Sequence, residues 1–360
     1  MYKRIHNFSA GPAVLPEEVL LEVQEEMLDY RGHGLSVMEM SHRSAPFQEI
    51  IDNAVAAVKR IMDLADDYEV LFLQGGASTQ FYMIPLNLCP DGEVANYINT
   101  GSWAGKALKE AQKMGKKMHV AASSEDKEFT YIPRDFVLSD NPAYLHITTN
   151  NTIRGTEYKF DPETGDIPLI ADMSSNFMSK PVNFRKYALI YAGAQKNIGP
   201  AGVTVVIIRK DIIPRINSGL PTMMSYNTHI EKGSMFNTPP CFAIYVTGKV
   251  LKWIENQGGL KAIEQNNIRK AKCIYDILDN SRFYRGTVVR EDRSMMNIPF
   301  RLPTEELEKK FISESTAQGM LNLKGHRSVG GCRASLYNSL PLKSAQVLAE
   351  FMLDFEKKNR

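Results

Sequence analysis

Cysteine is scarce in this chain. Its 360 residues include four, Cys89, Cys241, Cys273 and Cys332, spread far apart and without the close spacing that a zinc site requires. Reduced thiols and no metal are therefore expected. A charge excess of one sign is also lacking, because 43 basic residues face 41 acidic ones. That balance gives no electrostatic case for a nucleic acid or a membrane as partner. No apolar run approaches the ~18 residues of a membrane span, and the opening Met1-Tyr-Lys-Arg-Ile-His6 has no long apolar core of the kind that marks a signal peptide. A cytoplasmic protein is expected. Low-complexity runs and internal repeats are missing, and no Gly-x-Gly-x-x-Gly follows a strand, which argues against a nicotinamide dehydrogenase.

What the chain does contain is an ordinary globular composition, 43% hydrophobic and 23% charged, with length enough for two domains. One lysine stands out. Ala188-Leu-Ile-Tyr-Ala192 and Val203-Thr-Val-Val-Ile-Ile208 read as buried strands by length and β-branched content. The connection between them is too short for a parallel crossover, so they are expected to be antiparallel neighbours with Lys196 at their junction. Most lysines lay the stem on the protein and keep the head in water. One held against apolar strands tends to lose its proton, and a neutral amine can form a Schiff base with a carbonyl. A second run, Ile167-Pro-Leu-Ile-Ala-Asp172, ends on a carboxylate, at the strand end where open α/β sheets hold ligands. By itself Asp172 would serve as a helix cap. Together, a strand-end acid and a lysine on a nearby strand suggest pyridoxal phosphate, whose ring nitrogen takes an acidic partner while its aldehyde takes an amine.

Between residues 69 and 208, strand-like runs alternate with helical patterns. Strands are expected at Val70–Leu73, Val94–Ile98, Lys117–Ala122, Tyr144–Thr148 and Leu169–Asp172, and helices at Ser78–Leu88 and Trp103–Met114. This is the alternation of a mostly parallel sheet covered on both faces. Beyond Gly258 the pattern becomes that of a smaller α+β unit. It has helices at Leu260–Leu278 and Thr304–Gln318, short strands near Thr287–Val289 and Met296–Phe300, and a closing helical stripe of Val347, Leu348, Phe351, Met352 and Phe355.

Ordered motifs run almost the length of the chain. They are Asn7-Phe-Ser-Ala-Gly-Pro12, Ser41-His-Arg-Ser44, Gln74-Gly-Gly-Ala-Ser78, Thr100-Gly-Ser-Trp103, Asn150-Asn-Thr-Ile-Arg-Gly-Thr-Glu157, Ala171-Asp-Met-Ser-Ser175, Gly193-Ala-Gln-Lys-Asn-Ile-Gly199, Asn237-Thr-Pro-Pro240 and Gly325-His-Arg-Ser-Val-Gly-Gly-Cys-Arg333. In this order they resemble the phosphoserine aminotransferase family, within the class V, fold-type I enzymes. The resemblance implies an α/β fold with a large cofactor domain at 16–257, built on a seven-stranded-type sheet, and a small α+β domain from 1–15 and 258–360. It also implies pyridoxal 5′-phosphate as cofactor and a homodimer with shared active sites. The substrates would be glutamate and the phosphorylated 2-oxo acid 3-phosphohydroxypyruvate, in a step of serine biosynthesis that can extend to the phosphohydroxythreonine step of vitamin B6 synthesis.

Site residues follow from the same resemblance. Lys196 and Asp172 would be catalytic. Gly76, Ala77, Ser78 and Gln195 would hold the cofactor phosphate, where a glycine turn before a helix already suits an anion. Trp103 would stack on the ring, Thr152 would reach the ring oxygen or Asp172, and Asn237 and Thr238 would complete the phosphate site of a second subunit. Arg333 would take the substrate α-carboxylate, with Ser9 on that side. His42, Arg43, His326 and Arg327 would take the substrate phosphate or the second carboxylate of glutamate, His42 and Arg43 coming from the other subunit. Arginine suits these anions because it offers two parallel hydrogen bonds. One branch of the family carries an arginine where Ala77 stands, so the phosphate contacts are divided differently here. Two other class V activities compete, an alanine-glyoxylate aminotransferase and a cysteine desulfurase, the latter needing a mobile reactive cysteine. A non-enzymatic phosphate binder would leave Lys196 and Asp172 without a role.

Overall fold

The protein is described from a computed structural model covering residues 4–360, so the first three residues of the expected 1–15 segment lie outside the described residues. The central sheet has seven strands in the spatial order Tyr68–Leu73, Thr204–Arg209, Leu189–Gly193, Leu169–Asp172, Pro142–Thr148, Val94–Asn99 and Met118–Ser123. Thr204–Arg209 runs antiparallel to both of its neighbours, and every other adjacent pair is parallel. The hairpin expected around Lys196 is therefore present, and it supplies the one reversed strand.

Both faces of the sheet are covered, which explains why its strands read as continuous apolar runs rather than as alternations. On one face lie Ala45–Ile61 and Cys241–Asn256. The first is capped by Ser44, whose hydroxyl accepts from the Phe47 N–H, and it turns Phe47, Ile50, Ile51, Ala54 and Val58 inward at helical spacing. On the other face lie Gly76–Leu88 and Ser102–Lys113, which bury Phe81, Ile84, Ala107 and Ala111 against Tyr97, Tyr144 and Tyr191.

A second core gathers helices Gly259–Asn280, Glu305–Ala317 and Leu342–Asn359 over an antiparallel sheet of Cys332–Ser335, Asn297–Arg301 and Arg285–Gly286. Thr304 caps the middle helix by accepting from the Leu307 N–H, and three glutamates occupy its first turn, where the helix dipole favours them. The closing stripe is buried as expected at Leu348, Phe351, Met352 and Phe355. Phe8 enters this core, and His6–Asn7 pairs in parallel with Met320–Leu321.

One element differs from expectation. Thr287–Val289 is not a strand; pairing occurs two residues earlier, at Arg285–Gly286 against Phe300–Arg301. After Gly286 the chain turns away, and the Val289 N–H bonds to the Thr130 carbonyl instead. Strand-forming residue types were present there, but a partner strand was not.

Candidate active site

The parallel strands present their carboxyl ends on one edge of the sheet, and Thr148, Asp172 and Tyr191 sit side by side there in register. Loops leaving the neighbouring strands bring in Gly75–Ser78 and Gly101–Trp103. Between them lies a cavity of about 440 Å³ lined by Gly76, Ala77, Ser78, Trp103, Thr148, Asn150, Thr152, Asp172, Ser174, Gln195 and Lys196. Eight residues named from the sequence thus converge in one pocket.

Its anion-holding corner is built from backbone. The helix begins at Gly76, two residues earlier than the sequence suggests, so Gly76, Ala77 and Ser78 form its first turn, where N–H groups lack intrahelical partners. Gly75 has φ +87°, and a Cβ there would lie 1.8 Å from the Thr79 hydroxyl, so only glycine fits the turn.

Asp172 is 5% exposed, and its carboxylate accepts from the Ser174 N–H at 2.9 Å. Burial raises its pKa, while the bonds from Ser174, the charge of Lys196 and the Tyr191 hydroxyl act in the opposite sense. Lys196 is half-buried; its amine donates to the Ala10 carbonyl and lies 3.4 Å from the Tyr337 hydroxyl. Tyr337 itself donates to the same carbonyl at 3.0 Å. The Gly11 backbone lies so close that a Cβ on it would stand 2.9 Å from Lys196 Cε. Acid, amine and anion corner thus share one cavity, an arrangement that fits an aromatic aldehyde carrying a phosphate.

The cationic residues divide into two groups. Arg333 reaches the pocket, donating to the Thr152 carbonyl at 3.2 Å, and its buried Nε has no partner among the described residues, leaving a donor for an incoming anion. Burial lowers its pKa from the usual value. His326 lies within the field of Arg333, Arg327 and Lys106, and burial followed by these charges lowers its pKa. The Ser328 N–H donates to His326 Nδ1, so the neutral ring carries its proton on Nε2. Lys106 was not singled out in the sequence, where it reads as an ordinary exposed helix lysine. Its ammonium stands 4.0 Å from the centre of the Trp103 ring and has no carboxylate within ion-pair distance among the described residues.

The other group stays outside this pocket. Arg43 is exposed and His42 half-buried in the turn before Ala45–Ile61. Asn237 lines a separate hollow on the far side of the glycine turn, and the Thr238 carbonyl accepts from Gln74 Nε2 at 3.1 Å. Ser9 lies two residues from the pocket, its hydroxyl accepting from the Gly11 N–H. Pro12, Asn150, Ser174 and Tyr337 were also missed as individual site residues. The first three lay within quoted motifs, and Tyr337 carried no signal beyond its position four residues after Arg333.

Cys332 offers no support for a reactive cysteine. It is 1% exposed in a strand, and burial raises its thiol pKa far above the usual value. Among the described residues no cluster of metal-binding side chains occurs, and no helix is long and apolar enough to cross a membrane.

Comparison with known proteins places residues 5–347 in the class-V aminotransferase family model. The chain is 56% identical to the phosphoserine aminotransferase of Desulfatibacillum aliphaticivorans, over all of both chains. The solved phosphoserine aminotransferase of Bacillus circulans subsp. alkalophilus superposes with a TM-score of 0.98 at 50% identity, again over all of both chains. The enzyme of that name from Trichomonas vaginalis, solved with pyridoxal phosphate bound, gives 0.93 at 38% identity, over 97% of this chain and 100% of its own.

Proposed function

Because this chain belongs to the class-V aminotransferases, and within them to the phosphoserine aminotransferase family, we propose that it transfers the amino group of L-glutamate to 3-phosphohydroxypyruvate. The products are O-phospho-L-serine and 2-oxoglutarate, and the step belongs to serine biosynthesis in the cytoplasm. The observation that carries the reading is the meeting of Lys196 and Asp172 in one cavity beside the first turn of Gly76–Leu88.

When bound, pyridoxal 5′-phosphate supplies an aldehyde that condenses with amines and a protonated ring that draws electrons from the reacting carbon. Gly76, Ala77, Ser78 and Gln195 hold its phosphate, together with Asn237 and Thr238 of a second copy of the chain. Trp103 and Thr152 would hold the ring, and Asp172 would keep its nitrogen protonated. Lys196 would supply the amine with which the aldehyde condenses. In turnover its amine would serve as the base that takes the proton from the substrate α-carbon and would then hold it for return, work for which a positioned amine is suited. Arg333 and Ser9 orient the α-carboxylate. His326 and Arg327, with His42 and Arg43 of the second copy, hold the substrate phosphate in one half-reaction and the side-chain carboxylate of glutamate in the other. The work divides between a cofactor domain at 16–257 and a smaller domain from 1–15 and 258–360.

A coupled assay tests the proposal by comparing 3-phosphohydroxypyruvate, its unphosphorylated counterpart and the phosphothreonine analogue as partners of glutamate. Strong preference for phosphorylated partners is expected, and equal rates would remove the substrate assignment. A yellow protein whose visible band disappears with borohydride identifies the cofactor independently.

A further inference from the structure

Behind Asp172 the sheet holds polar side chains to which the reaction above assigns no part. Register sets Tyr191 beside Asp172, with Thr148 on its other side; His146 lies two residues before Thr148 and so shares their face. His146 Nε2 lies 2.9 Å from the Tyr191 hydroxyl, and the two residues are 1% and 0% exposed. The Tyr191 hydroxyl also favours the ionised form of its in-register neighbour Asp172. Phe81 closes the layer edge-on against Tyr191, with ring centres 6.3 Å apart.

The direction of these bonds follows from what each group can give. Burial lowers the His146 pKa to about 3, so its ring is neutral near neutral pH and carries a single N–H. An ionised carboxylate can only accept, and the stronger, charge-assisted use of the tyrosine proton is toward it. The tyrosine oxygen is then free to accept from His146 Nε2–H. His146 Nδ1 is left bare, with no partner among the described residues. Donation from His146 to Tyr191 thus leaves the tyrosine proton for the adjacent Asp172 carboxylate, in an apolar layer where such interactions strengthen one another.

We propose that His146 and Tyr191 are positioning residues that keep the Asp172 carboxylate ionised and turned toward the nitrogen of a bound pyridine ring. They thereby set how strongly the pocket prefers a protonated nitrogen heterocycle. This rests on the cofactor reading given above.

The test titrates apoprotein with pyridoxal 5′-phosphate and with its deaza analogue, in which carbon replaces the ring nitrogen, and follows tryptophan fluorescence. The wild type is expected to bind the natural cofactor about ten-fold more tightly than the analogue, a preference of about 1.4 kcal/mol. Tyr191→Phe and His146→Leu lose most of that preference, chiefly by weakening the natural cofactor. His146→Gln, which keeps an N–H donor, retains more of it. Equal weakening toward both ligands would reveal mere packing and overturn the proposal, as would a preference that survives in the variants. If Tyr191→Phe fails to fold, the two His146 variants decide. A wild type that binds neither ligand removes the cofactor reading and this inference together, whereas failure of the variants alone to change the preference removes only the relay.

Discussion

Asp172 and Arg327 are both charged residues assigned to one site, yet they stand on very different ground. Asp172 ends a buried strand, is 5% exposed and accepts from its own turn, with Tyr191 in register beside it. Arg327 lies on an exposed loop with positive-φ glycines at Gly330 and Gly331. The wall of the pocket is thus built from sheet, where register fixes direction to fractions of an ångström, and the rim from loop, where reach and charge matter more than angle. Chemistry at a single atom needs the first arrangement, and capture of a phosphate that arrives from solvent can use the second.

Substitutions should separate wall from rim in proportion. Lys196→Ala is the most damaging and is expected to lower kcat by roughly 10⁴-fold with the fold intact, measured by single-turnover assay beside a melting curve. Near-normal turnover would remove the lysine from the mechanism. Next comes Asp172→Ala, expected to cost roughly 10²-fold to 10³-fold in kcat, with the melting temperature unchanged or raised because a buried carboxylate has been removed. At the rim, Arg327→Met should act mainly on KM for the phosphorylated partner, by roughly 10-fold, with little change in kcat and a weaker response to salt. A large kcat loss there would erase the distinction. Outside the reaction itself lies the effect of pH on stability through His146. Its folded pKa lies below the unfolded value of about 6.5, so the unfolded chain binds the extra proton between the two. Stability present above about pH 6.5 is therefore expected to fall as pH drops toward 3, by at most roughly 1.4 kcal/mol per pH unit from this group. Urea unfolding at several pH values should show a shallower slope for His146→Gln.

The sequence made the wall more legible than its support. Lys196 and Asp172 were visible because each closes a short apolar run, and strand ends are where such folds hold ligands. The seven strands were found to within two residues at each end for the same reason. His146 and Tyr191 were not visible, since both are ordinary strand residues and only the pairing of three strands brings them to Asp172. Lys106 resembled any surface lysine until the first turn of its helix placed Trp103 beneath it. Arg333 was named through the family resemblance, and the structure brings its guanidinium to the Thr152 carbonyl. Asn237, Thr238, His42 and Arg43 formed recognisable motifs, but the folded chain keeps them out of its own pocket, so their assignment depends on a second copy.

A stability counterpart to Lys196 lies in the second core. Lys270 is fully buried, with its amine donating to the carbonyls of Leu336, Tyr337 and Asn338 at 2.9, 2.6 and 3.2 Å, and burial lowers its pKa to about 7. Lys270→Met would take a donor from these carbonyls, of which that of Tyr337 also accepts from the Leu340 N–H, and is expected to cost about 2–4 kcal/mol, read by urea unfolding.

The stretch that presents the Ala10 carbonyl to Lys196 is held on one side by the Ala13 N–H on the Gln195 carbonyl and on the other by the His6 N–H on the Gly319 carbonyl and the Phe8 N–H on that of Leu321. The latter pair of bonds joins segments far apart in sequence, so closing that side of the cover over Lys196 costs the entropy of a long loop.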